Sequence, residues 1–344
     1  MDIQYFVFFY TGSLGDTFLA RFMFYHMHRI HPQMRCIALT FYKSQPAVKL
    51  LADLDYVQVV AMRDVSWRDW LRLAFNRTLL AISFSFGKIP LLNKLIAWSL
   101  TRFPGSRLVG FTDASYLTRL LYTYTLPFDS SHSVFDAMRD VLRTFGVVDT
   151  EAMPDLPIPQ ADVCAKYSLT PKRYIVLHPF AHSMVRSWPP SRLHTLLIAL
   201  QKTYPHLRIV LTGDARDHVR IERVIQDIPG IIDLADMLSI EELICLYYHA
   251  ATFVGVDTGP THIAAFSAHD IVVLSNNSNP CWQPTYEPLA RILVDTTRCT
   301  CDGMKGGGCR VSFEGQEYYR CLFDISDEAI LESVRASLAS RGIV

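Results

Sequence analysis

Four short loops, each lying where an apolar run gives way to a helical pattern, carry the residues best suited to chemistry. In the most informative, V-G-V-D-T-G-P-T-H-I-A-A, a buried strand ends at Asp257-Thr258-Gly259 and Pro260 opens a helix that runs through His262. Proline suits a first helical turn because the N–H it lacks has no helical partner there in any case. The amides of Thr258, Gly259 and Thr261 would then point out of the helix start, where the helix dipole favours negative charge. Asp257 sets a carboxylate beside them, which suits a ligand bearing both phosphate oxygens and sugar hydroxyls. A simple capped helix reads the same way, since Asp and Thr are common caps.

The remaining loops add an acid, a cation and a turn. Thr11-Gly12-Ser13-Leu14-Gly15-Asp16 follows the first strand, and its two glycines let the backbone approach a ligand. It lacks the three-glycine dinucleotide spacing, which favours an acid–base role for Asp16 over a phosphate cradle; helix capping is the alternative. In His178–Pro189, Arg186 precedes Trp188-Pro189, and its guanidinium fork could hold phosphate or sit as a surface cation. Gly213, in Thr212–Asp217, permits a tight turn or a close ligand approach, while the charges around it also suit a solvated helix start. His178 and His262 could touch phosphate or sugar, or orient neighbouring loops.

A fifth constellation is the cluster Cys299, Cys301, Cys309 and Cys321, spaced C-x-C-x7-C-x11-C around three glycines. Four thiolates could close round one zinc or iron, although common zinc sites use C-x2-C; four free thiols are the alternative. Cys36, Cys164, Cys245 and Cys281 suit buried small hydrophobes.

Alternating strand and helix patterns must position these loops. Strands are expected near Tyr5–Tyr10, Cys36–Phe41, Val57–Val60, Leu79–Ser85 and Arg107–Gly110, with helices near Asp16–Ile30, Gln45–Leu51, Trp67–Asn76, Pro90–Thr101 and Ser133–Phe145. Pro154, Pro157 and Pro159 mark an extended connector. A second series follows: strands Tyr174–His178, Arg208–Thr212, Ile231–Asp233, Thr252–Val256 and Ile271–Ser275. Its helices are Ser191–Tyr204, Ala215–Gln226, Ser239–Ala250, Pro260–Ser267 and Asp327–Ser340. This is an α/β chain with two Rossmann-like halves, residues 1–155 and 171–325, a linker over 156–170, the cysteine-rich segment 299–321 and a terminal helix over 326–344. Open parallel sheets bind at the carboxyl ends of their strands, so the loops of both halves are expected to face one cleft.

Composition excludes several classes. With 344 residues, 50% of them hydrophobic, the chain can bury two cores. Lys+Arg and Asp+Glu both number 33, so there is no basic excess for nucleic acid. No apolar run reaches the ~18 residues of a membrane span. The opening M-D-I-Q-Y-F-V-F-F-Y has no positive leader and no small-residue cleavage site, so a cytoplasmic protein is expected. Trp67, Trp70, Phe75, Trp98 and Phe103 are interleaved with Arg68, Arg72, Arg77, Lys88, Lys94, Arg102 and Arg107, which suits peripheral contact with a bilayer or core helices with snorkelling cations.

Taken together, G-S-L-G-D, L-H-P with R-S-W-P, I-V-L-T-G-D-A-R-D, D-M-L-S-I-E-E-L and G-V-D-T-G-P-T-H-I-A-A make the chain resemble the family 9 glycosyltransferases, the heptosyltransferase-like enzymes. The resemblance implies the GT-B architecture and inverting transfer of a sugar, heptose by family default, from an ADP-sugar donor. The acceptor it implies is a saccharide or glycolipid such as lipopolysaccharide core, met at the inner face of the cytoplasmic membrane. It makes Asp16 the general base and Arg186, where many members carry lysine, the partner of the leaving diphosphate. Thr258 and Gly259 would offer amides to the phosphates and Asp257 would accept from sugar hydroxyls, with Ser13, Gly15, His178, Gly213 and His262 completing the nucleotide-sugar contacts. No catalytic metal is implied. The cysteine segment resembles that of a protein-modifying branch, which implies iron and a protein side chain as acceptor. Thr17-Phe18 departs from the small aliphatic pattern that usually follows Gly15-Asp16. A non-catalytic nucleotide-sugar-binding protein on the same scaffold, or a nucleotide-sugar epimerase, are the other classes compatible with these loops.

Overall fold

The computed structural model describes residues 4–40, 45–83, 91–111, 116–127, 132–151, 153–267, 270–276, 280–300 and 309–343. It divides into two compact units, Met1–Asp155 and Leu156–Val344. Residues 156–170 therefore belong to the second unit, where the Cys245 thiol donates to the Pro159 carbonyl at 2.8 Å.

In the first unit the strands are β1 (Tyr5–Tyr10), β2 (Arg35–Thr40), β3 (Val57–Ala61), β4 (Thr78–Ile82), β5 (Arg107–Phe111) and β6 (Tyr124–Leu126). They form a parallel sheet in the order β3-β2-β1-β4-β5-β6. The helices are α1 (Leu14–Ile30), α2 (Gln45–Leu50), α3 (Trp67–Ala74), α4 (Leu91–Leu100), α5 (Tyr116–Leu121) and α6 (Val134–Thr144). Strands buried on both faces read as continuous apolar runs, as Y-F-V-F-F-Y in β1 does. Alternate residues point to opposite faces. Phe6 and Phe8 pack edge-on against Phe24 of α1, whereas Val7 and Phe9 share a core with Leu73 of α3 and Leu100 of α4.

The second unit opens with a single turn, α7 (Val163–Lys166), and continues with β7 (Tyr174–His178), α8 (Pro190–Thr203), β8 (Arg208–Leu211), α9 (Ala215–Ile225), β9 (Ile231–Asp233), α10 (Ile240–His249), β10 (Thr252–Val256), α11 (Gly259–Ser267) and β11 (Ile271–Leu274). After β12 (Ala290–Leu293) come an antiparallel hairpin, β13 (Arg310–Phe313) with β14 (Gln316–Tyr319), then α12 (Arg320–Phe323) and α13 (Asp327–Ser340). The parallel sheet runs β12-β11-β10-β7-β8-β9. Helix α13 closes one face: Ile330, Val334 and Leu338 join the core of Ile175, Leu177, Val254 and Val272, and the Ser337 and Thr252 hydroxyls meet at 2.7 Å.

Several elements differ from expectation. The short strands β6 and β12 and the β13–β14 hairpin were not anticipated, because three or four residues carry little periodicity. Helix α7 falls inside the linker expected over 156–170. Cys36, Cys245 and Cys281 are buried, but Cys164 is only half-buried, its sulfur 3.9 Å from the Tyr174 hydroxyl. Residues 84–90, expected to continue a strand and begin a helix, lie outside the described residues.

One buried charge ties the first unit together. The Arg21 guanidinium donates to both carboxylate oxygens of Asp53 at 2.6 Å and to the carbonyls of Leu50 and Asp155. Arg21→Leu leaves those acceptors without their donor. Because Asp53 is one-third exposed, the expected loss sits at the low end for a broken buried pair, about 3 kcal/mol. Urea unfolding of the variant reads it, and a loss below about 0.5 kcal/mol, as at an ordinary surface site, would remove this role.

Candidate functional site

Both sheets place the candidate loops by the same rule. At a topological switch point, crossovers leave two neighbouring strands in opposite directions and a crevice opens at their carboxyl ends. The switch in the first unit lies between β1 and β4, and the loop after β1 carries Asp16. In the second unit it lies between β7 and β10, whose ends carry His178 and Asp257.

Around Asp16 the loop is built by its own hydrogen bonds. Gly12 takes a positive φ of 87°, a conformation glycine adopts without strain. Ser13, not Asp16, caps α1: its side chain accepts the Asp16 amide at 3.3 Å, and the Thr17 hydroxyl donates to the Ser13 carbonyl at 2.8 Å. Asp16 is thereby relieved of the capping role. Its carboxylate, buried in the first turn, accepts from the Thr11 hydroxyl. Burial raises the pKa of the neighbouring Tyr10 phenol, and the Asp16 charge adds to the rise. Gly15 is half-buried and Ser13 exposed on the same turn.

In the second unit, the loop after β7 is pinned on both sides of Arg186. The Ser187 hydroxyl accepts the Ala181 amide at 2.9 Å, and the Trp188 amide donates to the Pro179 carbonyl at 2.8 Å. Trp188 is fully buried beneath the Arg192 guanidinium, 4.4 Å from its ring. R-S-W-P is thus an anchor for Arg186, half-exposed, whose charge acts on Asp257. Burial pushes the Asp257 carboxyl up to about 6, opposed by the Arg186 charge and a hydrogen bond with Ser275. Thr258 turns its hydroxyl back to the Val256 carbonyl at 3.2 Å, as Thr261 does at 2.5 Å. These bonds shape the turn so that α11 begins at Gly259; the Thr261 amide, expected to point out of the helix start, donates instead to the Thr258 carbonyl at 3.1 Å.

The histidines are positioned by specific partners. His178 Nδ1 lies 3.0 Å from the Thr212 hydroxyl, and burial pushes the ring down to about 4. His262 Nδ1 lies 2.8 Å from the Tyr286 hydroxyl, and burial likewise lowers it to about 4. Both rings are therefore neutral at pH 7. His262 also meets Trp282 edge-on at 6.2 Å. Gly213 has a packing explanation: a Cβ there would lie 2.6 Å from the Asp217 Cβ. Asp217 completes a capping box with Asp214 at the head of α9. The structure also brings in Ser275, Trp282 and Tyr286, which sequence reasoning missed. Ser275 closes an expected strand, but the aromatic pair sits in a stretch without motif or periodicity.

Of the cysteines, Cys299 and Cys309 bring their sulfurs to 3.6 Å. Thiolates sharing a tetrahedral metal at about 2.3 Å stand about 3.8 Å apart, so the pair fits two corners of such a site. The β13–β14 hairpin returns the chain so that the Arg320 amide donates to the Cys309 carbonyl at 3.0 Å, next to Cys321, which is buried. Cys301 lies outside the described residues, and among the described residues no group of three ligands comes together. Cys299, Cys309 and Cys321, the three described members of the expected four-cysteine site, do not come together as a group that could hold a metal.

A model of glycosyltransferase family 9 (heptosyltransferase) matches residues 73–306. Lipopolysaccharide heptosyltransferase 2 of Salmonella typhimurium is 24% identical over 200 residues, which cover 55% of each chain. The chain thus spans about half the length of the curated relatives it matches. The structure of E. coli ADP-heptose lipopolysaccharide heptosyltransferase II superposes with a TM-score of 0.69 at 17% identity, over 99% of this chain and 100% of that one. TibC of enterotoxigenic E. coli, a dodecameric iron-containing heptosyltransferase solved with ADP-D-β-D-heptose, gives a TM-score of 0.59 at 15% identity, over 99% and 78%. These likenesses show the GT-B fold, with its two parallel α/β sheets.

The coupling of Arg186 to Asp257 is open to measurement. Arg186→Gln removes the charge that opposes the effect of burial, so the Asp257 midpoint moves up from about 6. A carbon-13 NMR titration of the carboxyl reads the shift, and an unmoved midpoint would mean the two groups do not interact.

Proposed function

Because the chain belongs to glycosyltransferase family 9, we propose that it is an inverting transferase that moves heptose from an ADP-activated donor to a saccharide acceptor. The observation that carries this reading is the buried Asp257 carboxylate at the head of α11, held within the field of the Arg186 charge. A cation and outward amides suit the diphosphate, and a carboxylate suits the sugar hydroxyls. ADP-heptose as donor and lipopolysaccharide core as acceptor are supported by the family's heptosyltransferase description and by the Salmonella relative. A glycolipid acceptor puts the reaction at the inner face of the cytoplasmic membrane.

In the proposed reaction the acceptor hydroxyl attacks the anomeric carbon as Asp16 takes its proton. The bond from that carbon to the phosphate oxygen breaks, and ADP leaves with the electron pair. Arg186 and the Thr258 and Gly259 amides meet the charge that gathers on the leaving diphosphate. Ser13 and Gly15 shape the turn that presents Asp16. His178 and His262, both neutral, hold the loops around the nucleotide sugar, and Gly213, whose missing Cβ the α9 capping box already requires, leaves the β8 loop open to it.

A second acceptor class is a protein side chain, which the resemblance of the cysteine segment to a protein-modifying branch implies; the 3.6 Å approach of Cys299 and Cys309 suits the metal of that branch. On this reading Cys299, Cys301, Cys309 and Cys321 hold a structural iron or zinc that braces the chain ahead of α13. Metal analysis is expected to find one equivalent of iron or zinc per chain and to lose it in Cys309→Ser. Metal-free wild type would leave four thiols.

Calorimetry with ADP, UDP and GDP is expected to favour ADP, and affinity for the ADP-sugar to fall as the pH drops through about 6 and Asp257 loses its charge. Asp16→Ala is expected to cut kcat by about 100- to 10,000-fold with donor affinity unchanged. Full activity in that variant would reassign the base. Donor binding in a wild type that transfers no sugar would make the protein a nucleotide-sugar binder.

A further inference from the structure

We propose that the layer formed by α3, α4 and α5 docks on an anionic lipid bilayer, holding the first unit against the membrane. The proposal deepens the glycolipid-acceptor reading and rests on it for its purpose, though not for its test. Helix α3 is eight residues long and buries only Leu73. Trp67, Leu71 and Phe75 stand 67%, 46% and 68% exposed. Spaced four residues apart, they form one stripe on the helix and its C-cap. The apolar surface continues on the neighbouring helices with Leu95 of α4 and Leu120 of α5, both exposed.

The core does not account for this stripe. Core residues Leu73, Ala97 and Leu100 point the other way, into the sheet. Beneath α3 lies a cavity of about 470 Å³ against β1, β2 and β3, so even the inner side of the helix is incompletely packed. Large apolar side chains left together in water mark a binding surface more often than an accident.

Charge selects the occupant. Between Met62 and Arg107 the sequence has eight Lys and Arg against Asp64 and Asp69, although the chain as a whole balances 33 against 33. Both acids are engaged by arginines of the same segment, Arg63 at 3.6 Å and Arg72 at 3.3 Å. Arg68 and Arg102 lie over the Trp67 and Trp98 rings at 5.4 and 4.4 Å. Tryptophan and arginine side by side suit the headgroup level, where rings sit at the edge of the acyl region and cations meet lipid phosphate. A second copy of the same surface would bring like charge against like, which disfavours self-association through it.

Sedimentation of the full chain with vesicles tests this without any sugar transfer, so it can fail while the transferase reading stands. The wild type is expected to pellet with phosphatidylcholine vesicles containing phosphatidylglycerol, less with phosphatidylcholine alone, and less at high salt. The double variants Trp67→Ser/Phe75→Ser and Arg68→Glu/Arg102→Glu are each expected to weaken binding at least about tenfold. Their thermal melts should match that of the wild type, since these side chains are exposed. Wild type left in the supernatant, or either variant pelleting undiminished, overturns the proposal. So does a patch whose mutation changes the mass in solution and not the vesicle binding, which would make it a protein interface.

Discussion

Parallel strand pairing is the constraint from which the candidate chemistry follows. Every strand of a parallel sheet delivers its carboxyl end to the same edge, and the strand interiors here are mostly apolar, their few polar residues lying near strand ends. Reactive residues are left with the loops at that edge. Crossovers diverge between β1 and β4 and between β7 and β10, where a crevice opens at the carboxyl ends of the strands. Asp16, His178 and Asp257 each occur within a few residues of such a point. Each owes its place at the edge of its own sheet to topology.

Within the second unit, burial and charge are set against each other at Asp257. Removing the carboxylate from water raises its pKa, and Arg186 and Ser275 partly offset this. A carboxylate so poised is more responsive to an arriving diphosphate or sugar than one in water, because low local polarity strengthens each interaction. The two neighbouring histidines are driven neutral by the same burial, so Arg186 dominates the local positive charge among these residues. Its fixed fork suits an oxygen-rich partner, and the anchoring of Ser187 and Trp188 limits how far it can wander.

Much of this was legible in the residues. The strands β1, β7 and β10 and the helix α13 follow their apolar patterns residue for residue, because long or strongly bounded runs leave few alternatives. The Asp257–Gly259 turn was readable from proline and glycine placement. Other features were hidden. Ser13 rather than Asp16 caps α1 because backbone geometry, not residue type, chooses between two good caps. Tyr286 reaches His262 across twenty-four residues, a separation that no local pattern encodes. The β13–β14 hairpin, whose return sets Cys321 next to the Cys309 backbone, is too short for its alternation to stand out.

The fit of Gly213 against Asp217 bears on how relatives should be compared. A glycine retained at this position across a lineage would ordinarily be credited to the nucleotide it might touch. Here a larger side chain would first dislodge the residue that closes the N-terminus of α9, and the helix would fray from that end. Invariance at 213 would then record the upkeep of a capping box, and specificity for the base would have to be sought at positions whose side chains are free to vary.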